Sequence, residues 1–185
     1  FVDIISLCEA AGNADMVYEF ASTSKITFPG AGVSALAASD NNIKEILGRL
    51  TIQIISYDKM NQLRHSYVFP DVDSLKDMMK KHADVLRPKF DAVLEVLEKE
   101  LGGLGVASWH KPNGGYFISL NVNTGSAKFA GQLCKEAGLT LTGVGATFPY
   151  KNDPDDRNIR IAPSYPAPEE LALATDLFVL CVKLV

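Results

Sequence analysis

Phe20-Ala21-Ser22-Thr23-Ser24-Lys25-Ile26-Thr27-Phe28-Pro29-Gly30 is the stretch on which the fold of this chain turns. The residues that lead into it, 17–21, are largely apolar and predict a buried strand. That strand delivers Ser22, Thr23 and Ser24, then Lys25, and a Pro29-Gly30 turn follows. A lysine at the end of a buried strand is expected to be partly desolvated, which favours the neutral amine and suits Schiff-base chemistry. Hydroxyls just ahead of it suit the phosphate of a cofactor. The plain alternative is a solvated lysine in a polar loop, and the far end of the chain bears on the choice.

That far end reads Asp156-Arg157-Asn158-Ile159-Arg160-Ile161-Ala162-Pro163-Ser164. Arg160 stands between two isoleucines in an apolar strand. A buried arginine requires an anionic partner, because an unpaired buried charge is prohibitively costly. Its planar fork matches a carboxylate through two parallel hydrogen bonds. The alternative is an edge-strand arginine that reaches water by simple alternation.

Composition narrows the function classes. The chain has 185 residues, 47% hydrophobic and 22% charged, enough for one domain or a large part of two. Its net charge is −4 and its basic residues are scattered, so this segment offers no footprint for nucleic acid. Cys8, Cys134 and Cys181 form no CxxC and no Cys/His spacing suited to a metal, which predicts reduced thiols in a cytoplasmic protein. No apolar run reaches the length of a membrane span. The chain opens on Phe1 with neither methionine nor signal peptide, as expected for the C-terminal part of a longer protein.

Periodicity predicts a short helix over 3–11, a strand over 17–21, a tightly packed strand within 31–38, and a helix capped by Asn41 or Asn42 that runs to about residue 54. Residues 61–70 read as irregular and polar. The longest helical pattern, 71–101, contains Pro88, where a kink or break is expected, and Gly102-Gly103 ends it. Beyond it, strands are predicted over 106–109, 116–120, 140–142 and 158–162, with helices over 126–137 and 168–184. The alternation predicts an α/β sandwich as a second, smaller lobe, with 71–101 as a linking helix.

Together, Ser22-Thr23-Ser24-Lys25, Pro112-Asn113-Gly114-Gly115-Tyr116-Phe117 and Arg160-Ile161-Ala162-Pro163-Ser164 resemble, in order, the motifs of class I aminotransferases that depend on pyridoxal 5'-phosphate (PLP). Residues 20–28, Asn61-Gln62-Leu63-Arg64-His65, 86–94 and Gly145-Ala146-Thr147-Phe148-Pro149-Tyr150 more narrowly resemble the MocR-like subgroup, which includes a type of aspartate aminotransferase. The resemblance spans nearly the whole chain. It implies a fold-type I PLP-dependent transferase: residues 1–70 as the end of the large cofactor domain, 71–101 as the linking helix, and 102–185 as the small C-terminal domain.

The resemblance also implies roles. Lys25 would carry the cofactor and move the substrate proton as general acid and base. Ser22, with Ser24 as a second candidate, would bind its phosphate, and Arg160 would grip the substrate α-carboxylate. Arg64 would reach the site of the neighbouring subunit in a homodimer and bind a side-chain carboxylate. The implied reaction is a ping-pong exchange of an amino group between an amino acid, aspartate first, and a 2-oxo acid, 2-oxoglutarate. One departure stands out: the family's arginine about eight residues after the lysine is absent from Pro29-Gly30-Ala31-Gly32-Val33. The family's Gly-rich phosphate loop and its aspartate for the pyridine nitrogen belong ahead of Phe1, so these 185 residues alone are expected to be inactive. An effector-sensing domain of a transcriptional regulator, or a PLP lyase or decarboxylase, fits the same motifs. Gly30-Ala31-Gly32-Val33-Ser34-Ala35 mimics a dinucleotide fingerprint, but Pro29 interrupts its strand and Asp58 comes too late for the ribose acid.

Overall fold

Residues 2–185 are described by the computed structural model, and they fall into two units that divide within a helix, between His82 and Ala83. In the first unit Asp3 opens α1 (Ile4–Ala10) by accepting the Ser6 N–H. Strand β1 (Tyr18–Ser22) pairs antiparallel with β2 (Ser34–Ala38), Phe20 opposite Leu36 and Ser22 opposite Ser34. The connection between them, 23–33, carries Lys25. Helix α2 (Asp40–Gln53) starts at Ser39, whose hydroxyl accepts the Asn42 N–H. The cap is therefore Ser39 and not Asn41 or Asn42; Asn42 instead donates its side-chain amide to the Asp15 carbonyl.

Two further expectations for this unit are corrected. All five residues of β1 are exposed, so the strand leading to Lys25 is not buried among the described residues. Its apolar residues face no core here: Phe20 is 76% exposed, and among the described residues of the unit only Thr27 and Asn42 are buried. Residues 61–70 are not irregular. Most of them belong to α3 (Lys59–Val68), begun by Asp58 accepting the Asn61 N–H. Polar composition had hidden a helix that is set by its cap rather than by an apolar stripe.

Helix α4 (Val72–Leu101) runs from the first unit into the second. Asp71 Oδ1 accepts the Ser74 N–H at its start, and the helix continues through Pro88, so the expected break is absent. In the second unit β3 (Ala107–Trp109), β4 (Ile118–Val122) and β5 (Asn158–Ile161) form an antiparallel sheet in that order. Helices α5 (Ala127–Glu136) and α6 (Pro168–Lys183) complete the mixed α/β unit. The strand expected over 140–142 is not formed; that segment instead lines a cavity.

The core follows from periodicity. Val93, Leu97 and Leu101 recur at helical spacing, Ile118, Leu120 and Val122 alternate along β4, and Ala127, Ala130 and Cys134 line one side of α5. Phe178 and Val182 of α6 and Ile159 of β5 join the same cluster. Cys134 and Cys181 are buried here, and burial, followed by a hydrogen bond from Cys181, pushes the Cys134 thiol up to about 12. Such a thiol is an inert packing group.

Asp153 organises the turn into β5. Its carboxylate is buried and accepts the backbone N–H groups of Asp155, Arg157 and Asn158 at 3.1, 2.9 and 2.8 Å. Burial acts to raise its pKa, but these backbone bonds outweigh burial and the net shift is downward. A carboxyl depressed by folding stabilises the protein above its unfolded pKa, and that contribution is lost as pH falls through the folded value. Asp153→Asn is therefore expected to lower the urea midpoint at neutral pH. The gap from wild type should close as the pH drops below the ordinary aspartate range, and a constant gap across that range would contradict this assignment.

Candidate active site

The chain after β1 turns sharply, and backbone bonds define the turn. Ile26 and Thr27 both donate their N–H to the Thr23 carbonyl, at 2.8 and 2.9 Å, placing Lys25 at the bend. A second turn follows, in which Ala31 N–H donates to Phe28 O across Pro29-Gly30, with Gly30 at φ +74°. This is the type II geometry that favours Pro and then Gly. Thr23 also exchanges bonds with Val33, donating N–H to the Val33 carbonyl and accepting its N–H at Oγ1, both at 2.9 Å. The loop is thus closed on itself at its base.

Ser22 and Ser24 are brought together, their hydroxyl oxygens 2.7 Å apart, and both are exposed beside exposed Lys25. Gly32 makes this possible. A Cβ there would lie 2.6 Å from Ser24 Oγ and 2.9 Å from the Ser24 Cα and N. Two converging hydroxyls beside a cradle that a single methyl would fill form a donor set suited to a phosphate. The residues present therefore fit the phosphate of PLP, with Lys25 one position beyond for its aldehyde.

Helix α3 grips this loop from the side. The Asn61 side-chain amide donates to the carbonyls of Ala31 at 2.7 Å and Gly32 at 3.2 Å. One turn later, His65 Nε2 lies 2.8 Å from Thr27 Oγ1 and 3.4 Å from Thr23 Oγ1. Arg64 stands between these two residues on the same helix and is exposed. Thr23, Thr27, Asn61 and His65 lie in stretches that the sequence marks, but their part in bracing the loop was not read from it. The available signal was the four-residue spacing of Asn61 and His65 behind the Asp58 cap.

Arg160 lies in the second unit, on edge strand β5 opposite Ser119. It is half-buried, its guanidinium carbon 4.2 Å from the centre of the Phe117 ring. Its Nε is buried without a hydrogen-bond partner, and among the described residues it forms no ion pair. The guanidinium carbon thus lies over the face of the ring, a cation–π contact. Arg160 and Thr140–Thr142 contribute to the lining of a cavity of about 350 Å³. After the strand, Lys89 Nζ donates to the carbonyls of Ser164 and Pro166 at 2.9 and 2.7 Å and ties down the Arg160–Ser164 motif. Two rungs back, Asn158 bonds Ser119, Asn121 and Thr147 at 3.0, 2.8 and 2.7 Å, which fixes β5 against β4 and the loop before it.

A family model described as aspartate amino-transferase matches residues 1–185. The chain belongs to this aminotransferase family. It is 48% identical over 183 residues to an aspartate aminotransferase of Corynebacterium glutamicum, covering 99% of this chain and 42% of that protein. A solved aspartate transaminase from Corynebacterium glutamicum superposes with a TM-score of 0.94 at 48% identity, over 98% of this chain and 43% of that one. An alpha-aminoadipate aminotransferase from Thermus thermophilus, complexed with N-(5'-phosphopyridoxyl)-L-leucine, shares the fold at 20% identity and a TM-score of 0.70, over 96% and 44% of the two chains. The chain thus spans less than half the length of the relatives it matches.

The Gly32 cradle gives a direct expectation. Gly32→Ala places a methyl against the Ser24 backbone, where nothing flexible can yield, so it should cost roughly 1–3 kcal/mol of stability. Gly48→Ala, which meets nothing within 4 Å, should not. Urea unfolding of the two variants checks this; equal midpoints would show that Ser24 is not held against Gly32.

Proposed function

We propose that the intact protein is a PLP-dependent aminotransferase of fold type I, in the MocR-like subgroup, that exchanges an amino group between aspartate and 2-oxoglutarate by a ping-pong mechanism. The observation that carries this reading is the Ser22-Ser24-Lys25 turn with its Gly32 cradle. The likeness to an aspartate aminotransferase at 48% identity supports the substrate.

When bound, PLP supplies an electron sink for charge developing at the substrate Cα. Ser22 and Ser24 would hold its phosphate through hydrogen bonds from their hydroxyls. Lys25 would hold the cofactor through its amine and, as general acid and base, would take the proton from the substrate Cα. Arg160, whose guanidinium lies over the Phe117 ring, would grip the substrate α-carboxylate through its fork, so that the bond to be broken is held in one orientation. Arg64 is assigned to the side-chain carboxylate of a dicarboxylic substrate in the site of a partner subunit. Exposed apolar side chains in the first unit, among them Phe20, Ile52 and Ile55, support assembly as a homodimer.

Nitrogen-15 supplied as aspartate should appear in glutamate when 2-oxoglutarate is the acceptor, without net ammonia or carbon dioxide. Arg160→Lys keeps the charge but loses the bidentate fork, and should reduce kcat/KM by about tenfold or more for every amino acid tested. Arg64→Ala should raise KM for dicarboxylic substrates alone. Label released as ammonia would assign a lyase instead, and an Arg160→Lys enzyme with unchanged kcat/KM would remove the carboxylate role.

A further inference from the structure

We propose that His65 is a positioning residue for Lys25, acting through the hydroxyls of Thr27 and Thr23 that bracket the lysine. This rests on the cofactor reading above and adds a residue to it. The ring is fixed from both sides. Nδ1 lies 2.9 Å from the Asn61 carbonyl, which can only accept, so Nδ1 carries a proton. In the neutral ring Nε2 is then the acceptor, and the Thr27 hydroxyl 2.8 Å away is its donor. Thr27 Oγ1 is also 3.0 Å from Thr23 Oγ1, the atom that receives the Val33 N–H. The imidazole thus closes a polar network around both ends of the Thr23–Thr27 turn.

Packing holds the ring in place for this task. Phe28 meets it edge-on with centroids 5.1 Å apart, and Phe69 stands 6.2 Å away. Thr27 is buried, although Lys25 two residues earlier is exposed. Backbone bonds define the turn at Lys25, and the side-chain bonds of His65 add a tie from outside the loop. Contact between the imidazole and the hydroxyls of Thr23 and Thr27 ties together the two residues that bracket the lysine. Because Asn61 binds the other arm of the loop, α3 fixes both arms. A lysine that must both carry a cofactor and reach a proton on its substrate gains from such pre-organisation.

The test uses the intact PLP-loaded protein with His65→Leu, His65→Gln and Thr27→Val. Gln presents its amide oxygen, an acceptor, where Nε2 stands, whereas Leu fills space without a polar atom; Thr27→Val removes the same contact without touching α3. Hydrogen exchange at the Ile26, Thr27 and Val33 amides should quicken about tenfold in His65→Leu and Thr27→Val, with β4 amides unchanged. The pH at which the visible absorbance of the lysine-bound cofactor changes should move in the same two variants, and His65→Gln should restore both readouts. Exchange and absorbance within twofold of wild type in His65→Leu would overturn the assignment. A wild-type protein that shows the exchange contrast but takes no cofactor at Lys25 would overturn the cofactor reading and this role with it.

Discussion

Thr23 is the residue through which the candidate site is held. Its carbonyl receives two backbone N–H groups from the far side of the Lys25 turn, its own N–H extends the β1–β2 ladder to Val33, and its hydroxyl receives the Val33 N–H. One residue thereby joins strand, turn and loop, and α3 reaches the same point through His65. Each bond is worth only about 0.5–1.5 kcal/mol net, but they converge on five consecutive residues. A turn tied at so many points can present an exposed lysine in a defined direction without burying it, which the exposure of Lys25 makes necessary.

The two units differ in how they are stabilised. The second has its own apolar core, built from α4, β4, β5, α5 and α6, with Leu97, Ile118, Leu120 and Ile159 fully buried. Arg160 sits on the strand that carries Ile159, so its backbone inherits the rigidity of that core. The first unit relies on local hydrogen bonds and caps, and its two-stranded ribbon is of a kind that is marginal by itself. Arg160 is thus held by packing and Lys25 by a polar clamp.

Much of this was legible from residue spacing. The apolar alternation of β4, the helical stripe of α4 and the isoleucines around Arg160 reported their environments directly, because packing imposes those periods. Lys25, Ser22 and Ser24 were legible as a hydroxyl–lysine run, and the structure brings the two serines together. Helix α3 escaped because its residues are polar and its start depends on a single Asp58 bond, a signal that a hydrophobic pattern does not carry. The exposure of β1 escaped for the opposite reason: its apolar composition describes a strand that can be covered, not the surface that covers it. The clamp by His65 was out of reach, since it joins residues 38 and 42 positions apart through side-chain oxygens.

The most direct test of the central claim is peptide mass spectrometry of the intact, cofactor-loaded protein after borohydride reduction. The account predicts a stable pyridoxyl mass on the peptide containing Lys25 and on no other lysine peptide, together with loss of the visible absorbance. A loaded protein whose reduced adduct lies on another lysine, or on none, would contradict it.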